Sequence, residues 1–230
     1  MRILIILISI NSLLAGAASA AMIVDVGSQP LMVGDAFFVA ADNKAPVAEK
    51  FMTLQGHDGI ETGFNTSSGT PLDTKSGGEN LLVSRLQQFT IDSQDYFRLF
   101  LNTNEPGARR ASSISLDQLM IFRSENPAMA SDMLSSFGTP IYDLDSAGDI
   151  SLLLRDNNNG AGKVDLIVDV AANLLQSGSG DYLIVYSSLG AEGSATGGPE
   201  VWSAALKSIP EPQVLGAFVM AAALIKRARR

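Results

Sequence analysis

Six acidic or amide residues fall in two neighbouring segments of the chain, and their side-chain oxygens have the chemistry of metal ligands. The segments are YDLDSAGD and DNNNGAGKVD, and the six residues are Asp143, Asp145, Asp149, Asp156, Asn158 and Asp165. Asp143 and Asp145 are two residues apart, so on a strand their side chains would leave the same face. Oxygen donors on glycine-bearing loops are the ligands that Ca²⁺ takes in proteins. The pattern therefore predicts a calcium site made from these six residues.

A second interpretation of the same residues needs no metal. Aspartate and asparagine are common in turns because their short side chains hydrogen-bond to nearby backbone groups. The spacing is not that of an EF-hand, since no glutamate closes a twelve-residue loop with glycine at its sixth position. The sequence alone leaves both interpretations open.

Enzymatic chemistry has few candidate residues here. The chain has no cysteine, which excludes disulfides, thiolate metal ligands and cysteine nucleophiles, and its one histidine is His57, in QGHDGIE. A lone loop histidine is usually just exposed, and a triad cannot be recognised without its spatial partners. Asp143 and Asp145 resemble the carboxylate pair of a glycosidase, but one Trp and four Tyr supply few rings for a sugar cleft. We predict no catalytic residues and no enzyme.

The charge of the chain is strongly negative away from its ends. The formal net charge is −8, and residues 21–210 hold 11 Lys and Arg against 23 Asp and Glu, a net charge of −12. Such a surface repels nucleic acid and attracts cations. Nucleic acid is therefore not an expected partner.

The first residues have the order of parts found in a secretory signal peptide. MRILIILISINSLLAGAASAA begins with Arg2, continues with an apolar stretch and ends in small residues. Ala18 and Ala20 frame an A-x-A cleavage signal, with Ala21 as the first mature residue. Residues 1–20 are therefore predicted to be a signal peptide that directs the chain to the Sec machinery and signal peptidase.

The last residues, 208–230, read SIPEPQVLGAFVMAAALIKRARR and form a second targeting segment. The apolar run Val214 to Ile225 has 12 residues, fewer than the ~20 of a comfortable membrane-spanning helix. Pro210 and Pro212 disfavour helix before it. A basic tip follows the run, made of Lys226, Arg227, Arg229 and Arg230. By the positive-inside rule this tip would stay cytoplasmic while a short helix holds the exported body outside.

This tail resembles the PEP-CTERM sorting signal of Gram-negative bacteria. Pro210, Glu211 and Pro212 occupy the signature position, and a short apolar helix and a basic tip follow. The resemblance implies recognition by an integral-membrane exosortase, a transient inner-membrane intermediate, and release to, or attachment at, the cell surface. It describes a route and implies no activity.

Between the two targeting segments, residues 21–207 are predicted to form an all-β domain. Short apolar or alternating runs recur between glycine- and asparagine-rich breaks, which favours an antiparallel β-sandwich or jelly-roll-like fold with one or two short helices. A signal helix would precede this domain and a short hydrophobic helix would follow it. The predicted strands are Leu31 to Ala40, Leu81 to Phe89, Tyr96 to Asn102, Ser113 to Arg123, Pro140 to Asp145, Ile150 to Arg155, Asp165 to Val170 and Tyr182 to Ser187.

Two segments favour helix and one favours a loop. Asn126-Pro127 can start a helix through AMASDMLSSF that Gly138 stops, and AANLL near Ala171 is a weaker candidate. Gly63 to Gly78 is polar and lacks periodicity, which predicts a long loop or a mobile segment.

The second half of the chain, from about Phe97 to Trp202, also resembles an uncharacterised β-rich group of PEP-CTERM proteins. The matching stretches are ISLDQLMIF, GTPIYDLDSAGDISLLL, NNNGAGKVDLIVDV, DYLIVYSSLGAEG and EVW. This chain departs from the group at Gln118, where an acid is usual. The resemblance implies an extracellular β-rich fold and no established activity. Trp202 is expected to pack in the core, with sugar stacking as the alternative.

The combined expectation is an exported surface or extracellular-matrix protein. Its role would be non-enzymatic, structural or interactive, in an exopolysaccharide or biofilm setting, with Ca²⁺ as a candidate cofactor and extracellular polysaccharide as a candidate partner. The alternative is a secreted carbohydrate-binding module or glycan hydrolase.

Overall fold

Fifteen strands and three short 3₁₀ helices make up the regular structure of the residues described by the computed structural model of this chain. The described residues are 6–7, 22–27, 29–44, 48–56, 59–66, 72–75, 79–104, 113–127, 134–155, 163–192 and 197–207. The strands form two sheets whose apolar faces pack against each other, which confirms the predicted all-β sandwich.

The first sheet has eight strands in the described residues. Its members are β1 (Ile6–Leu7), β3 (Leu31–Val33), β4 (Ala36–Lys44), β5 (Ala48–Leu54), β8 (Gln88–Ile91), β9 (Gln94–Asn102), β13 (Lys163–Ala171) and β15 (Glu200–Ala205). They lie in the order β1-β3-β4-β13-β9-β15-β5, and β8 pairs with β9.

The second sheet has seven strands in the same described part. Its members are β2 (Met22–Asp25), β6 (Glu61–Phe64), β7 (Leu81–Leu82), β10 (Ser113–Ser124), β11 (Tyr142–Asp143), β12 (Ile150–Arg155) and β14 (Tyr182–Leu189). The order is β2-β12-β10-β14-β6, while β11 pairs with β10 and β7 with β14. Among the described strands, β1 with β3 and β2 with β12 are parallel, and the other pairs are antiparallel.

The core lies between the sheets and follows from the alternation of side chains along each strand. In β10, Ile114 and Leu116 face the core, and after a bulge between Leu116 and Gln118 the inward positions become Leu119 and Ile121. A bulge adds one residue to a strand and so shifts the phase of its alternation. Each of these fully buried side chains contributes about 1.5–3 kcal/mol by leaving water.

A smaller aromatic cluster lies beside this core. Phe137 ends the 3₁₀ helix Leu134–Phe137, and its ring centroid lies 4.9 Å from that of Phe64 and 5.5 Å from that of Phe122. Gly138 follows with φ +78°, a conformation that favours glycine, and ends the helix as predicted. The described part of this segment is 3₁₀ helix, and residues 128–133 lie outside the described residues.

Five predicted strands are found close to their expected bounds. Tyr96 to Asn102, Ser113 to Arg123 and Ile150 to Arg155 correspond to β9, β10 and β12. Asp165 to Val170 and Tyr182 to Ser187 lie within β13 and β14. The AANLL segment is helical as expected, but it is the 3₁₀ helix Ala172–Gln176.

Two predicted single strands were wrong because each contains a turn. Leu31 to Ala40 is a hairpin, since Gly34 adopts φ +56° and reverses the chain between β3 and β4. Leu81 to Phe89 is divided into β7, the 3₁₀ helix Val83–Arg85 and the start of β8.

Two further expectations were only partly right. The run Pro140 to Asp145 keeps strand pairing only at Tyr142–Asp143. The predicted loop Gly63 to Gly78 begins inside β6, and Gly63 forms an isolated bridge with Leu72.

The predicted targeting segments lie almost entirely outside the described residues. Of residues 1–20, only Ile6–Leu7 is described, and it is extended as β1 beside Leu31 and Met32 rather than helical. The cleavage-site alanines, the Pro-Glu-Pro motif and the basic tip are not among the described residues. No helix in the described part of the chain combines the length and apolar character needed to cross a bilayer.

Candidate functional site

The acidic turn after β11 brings together three of the six predicted calcium ligands, Asp143, Asp145 and Asp149. Asp143 Oδ1 accepts the N–H of Asp145 at 3.0 Å, and Asp145 Oδ1 accepts the N–H of Ile150 at 3.0 Å. The Gly148 N–H also donates to the Asp145 carbonyl oxygen at 3.0 Å. Both carboxylates therefore build the turn that joins β11 to β12, as the metal-free interpretation expects.

The acidic turn also concentrates negative charge. Burial raises the pKa of the Asp145 carboxyl, although the hydrogen bond from the Ile150 N–H lowers it. Neighbouring negative charges raise it further, and these belong to Asp143, Asp149 and Asp117. Because the pKa is raised in the folded state, this group's contribution to stability falls as the pH rises through its titration range. A bound cation would relieve the same repulsion.

Asp165 lies in the other sheet, where its carboxylate accepts hydrogen bonds from a different segment of the chain. It is 2 % exposed on β13, and its Oδ2 accepts the Thr103 N–H at 2.9 Å and the Thr103 hydroxyl at 3.1 Å. Asp156 and Asn158 lie outside the described residues. Among the described residues, no three His, Asp or Glu side chains converge as metal ligands would. Calcium binding by the six residues stays a prediction.

Asp117 is a buried carboxylate that the sequence interpretation missed. It sits at the bulge of β10, where Oδ1 accepts the Ser151 hydroxyl at 3.0 Å and Oδ2 accepts the Ala191 N–H at 2.7 Å. The sequence signal for this site was the break in apolar alternation at Asp117 within ISLDQLMIF. A charged side chain inside an apolar run needs hydrogen-bond donors if it is buried.

A polar groove of about 390 Å³ lies between the β8–β9 hairpin and the 3₁₀ helix Ala172–Gln176. Its lining is rich in amide, hydroxyl and carboxylate groups, and consists of Gln88, Ser93, Gln94, Asp95, Ala172, Asn173 and Gln176. The hairpin turn holds Asp92 at φ +48° and Ser93 at φ +69°. The carboxylate of Asp95 is oriented by the Thr90 hydroxyl, which donates to its Oδ1 at 2.7 Å. Amides with both donors and acceptors are suited to hydroxyl-rich ligands.

Trp202 was considered for sugar stacking and His57 for catalysis. Trp202 is fully buried in the core, so sugar stacking by its ring is excluded and the core interpretation is confirmed. His57 lies outside the described residues.

Comparisons with family models, with curated proteins and with solved structures give no match to this chain. Evidence for the function of this chain therefore comes from its own residues.

Proposed function

We propose that this chain is an exported, exosortase-sorted protein of the Gram-negative cell surface or extracellular matrix, with a non-enzymatic interaction or structural role among exopolysaccharides. The observation that carries the proposal is the tail, in which Pro210-Glu211-Pro212 precedes a short apolar run and KRARR. The signal peptide at residues 1–20 provides the matching entry to the export route.

The use of the acidic residues in the described fold supports a non-enzymatic role. Asp143 and Asp145 accept backbone N–H groups in a turn, and Asp117 and Asp165 accept buried hydroxyl and N–H groups. Carboxylates used in this way position backbone rather than protonate a substrate. An acidic, cysteine-free β-sandwich is also compatible with an oxidising, calcium-containing exterior.

The sorting route is tested by replacing Pro210, Glu211 and Pro212 together with alanine in the native host. We expect the unaltered protein at the surface or in the medium, with an intact mass that lacks the signal peptide and the tail. The variant should remain with the inner membrane and keep its tail, because the exosortase has lost its recognition element. Cell fractionation and mass spectrometry measure both properties.

A matched control is Glu192→Ala, which removes an exposed glutamate from the described domain. It should leave processing and location unchanged, with an intact mass that differs from that of the unaltered protein only by the substitution itself. Identical processing of the tail variant and the unaltered protein would contradict the route, as would a cytoplasmic protein with both ends intact.

A second candidate function is carbohydrate binding, and the polar groove is the observation that favours it. We expect the Gln94→Ala and Asn173→Ala variants to bind the host's purified exopolysaccharide roughly tenfold more weakly, since each loses hydrogen bonds worth about 1.4 kcal/mol. Gln87→Ala, an exposed amide next to the groove residue Gln88, is the control and should bind normally. Equal binding by all variants would count against the groove, while release of reducing ends would favour the hydrolase alternative.

A further inference from the structure

A buried carboxylate lies at the start of β6, on a different strand from the acidic turn. Glu61 is 2 % exposed, and its Oε1 accepts the Gly56 N–H at 2.9 Å. Its other oxygen, Oε2, is also buried and has no hydrogen-bond partner. A buried carboxylate oxygen without a donor is costly, so this atom calls for a positively charged or protonated neighbour.

Asp73 provides a second carboxylate beside it. Its Oδ2 accepts the Thr62 N–H at 2.9 Å, and its own N–H donates to the Thr62 carbonyl oxygen at 2.9 Å. The Gln55 N–H donates to the Asp73 carbonyl oxygen at 2.9 Å. Asp73 is therefore fixed between β6 and the end of β5, and these bonds leave its Oδ1 available.

Gly56 lets the two carboxyl-bearing side chains and a carbonyl approach one point. A Cβ on residue 56 would lie 2.8 Å from the Ile60 carbonyl oxygen, 3.2 Å from Glu61 Cγ and 3.4 Å from Asp73 Cγ. The first of these distances is a clash with backbone, so only glycine fits this cradle without a shift. The Ile60 carbonyl oxygen and the side chains of Glu61 and Asp73 therefore surround one point that no side chain occupies.

The described residues supply no basic partner for this pair. The ion pairs among them are Arg85 with Glu49, Arg98 with Asp169 and Arg155 with Asp25, and none includes Glu61 or Asp73. The cradle lies near the surface, because the flanking Ile60 and Leu72 are 47 % and 46 % exposed. Leu72 also adopts φ +56°, an unfavourable conformation for leucine that directly precedes Asp73.

We propose that Glu61, Asp73 and the Ile60 carbonyl form a binding site for a divalent cation of the calcium type. Ca²⁺ accepts carboxylate and carbonyl oxygens in irregular arrangements and completes its shell with water, whereas Mg²⁺ demands near-octahedral geometry. Glu61 Oε2 and Asp73 Oδ1 are the two charged ligands. The site is separate from the acidic turn, and it does not depend on the proposed sorting route.

Thermal melts of the purified chain at constant ionic strength test this site. Between EDTA and 10 mM Ca²⁺ we expect the Tm to rise by about 3–6 °C, as a site of ~1 mM affinity gives for a domain of this size. Mg²⁺ should give a smaller shift. Glu61→Gln and Asp73→Asn should each abolish the rise in Tm with calcium. In equilibrium dialysis with ⁴⁵Ca²⁺, each variant should bind one ion fewer than the unaltered chain.

Asp181→Asn is the matched control, because it makes the same change of charge as Asp73→Asn at an exposed position before β14 that belongs to neither acidic cluster. This control should show the full rise in Tm with calcium. It should also bind the ion that Glu61→Gln and Asp73→Asn no longer bind. The proposal is overturned if the unaltered chain shows no shift, or if both Glu61→Gln and Asp73→Asn keep it. Loss of the shift in Asp145→Asn alone would also overturn it and would assign calcium to the acidic turn.

Discussion

Replacing Trp202 by alanine is expected to lower the free energy of unfolding by about 3–5 kcal/mol, because it opens a large cavity in the core. The indole is fully buried on β15 in the first sheet. Its Nε1–H donates to the hydroxyl of Ser187 at 3.0 Å, and Ser187 belongs to β14 in the second sheet. Trp202 therefore joins the two layers by packing and by a buried hydrogen bond. Chemical denaturation measures the loss, and the Tm should fall by roughly 6–20 °C.

Two milder substitutions separate packing from hydrogen bonding. Trp202→Phe keeps an aromatic ring but leaves the buried Ser187 oxygen without its donor, which should cost about 1–3 kcal/mol. Adding Ser187→Ala to that variant should cost less than the two single changes added together, because the orphaned oxygen is gone. A Trp202→Ala variant within about 1 kcal/mol of the unaltered chain would contradict the core role.

The strands that could be predicted are those whose pattern is local. β12 and β14 are apolar runs with turn residues before or after them, and their burial in the core was visible in ISLLL and YLIVYSS. β5 escaped prediction because its first half, Ala-Glu-Lys, is partly exposed and only its second half is buried. The hairpin at Gly34 escaped because one glycine within an apolar run does not by itself specify a positive φ.

Prediction of which candidate residues lie together also succeeded only where the residues are close together in the sequence and are held by one local turn. Asp143, Asp145 and Asp149 are close in sequence, and one turn holds them together. Asp165 was grouped with them by its nearness to NNNGAG, but the strand it belongs to lies in the opposite sheet.

The sites that the sequence did not reveal depend on contacts between distant segments. The polar groove combines a hairpin with a helix about 80 residues further along, and strand bridges bring Asp73 beside Glu61. Sequence spacing contains no information on such contacts without the pairing of the strands.

Outside the core, disruption of the ion pair between Arg98 and Asp169 should have the largest effect on the free energy of unfolding. They lie directly opposite on β9 and β13, with Nε to Oδ1 at 2.6 Å and Nη2 to Oδ2 at 2.8 Å. The hydrogen bond to Asp169 raises the pKa of Arg98, so the guanidinium stays charged. Asp169 is only 4 % exposed, and the guanidinium carbon of Arg98 also lies 4.8 Å from the centre of the Phe89 ring.

Arg98→Met should therefore destabilise the protein by about 3–5 kcal/mol at neutral pH, because it leaves the Asp169 carboxylate buried without a counter-charge. Asp169→Asn should cost less, since the Arg98 side chain is 26 % exposed and its charge remains partly hydrated. Arg98→Lys should fall between them, because lysine keeps the charge but loses the two-pronged geometry. The double variant Arg98→Met/Asp169→Asn should recover part of the loss.

A double-mutant cycle gives the sharper test of this pair. If the destabilisation of Arg98→Met comes from the uncompensated charge of Asp169, then Asp169→Asn in that variant removes the charge, and the double variant should cost clearly less than the two single changes added together. Urea unfolding of the unaltered chain, the two single variants and the double variant measures this coupling. Costs that simply add would mean that the destabilisation comes from lost packing of the arginine stem over Phe89 rather than from an uncompensated charge.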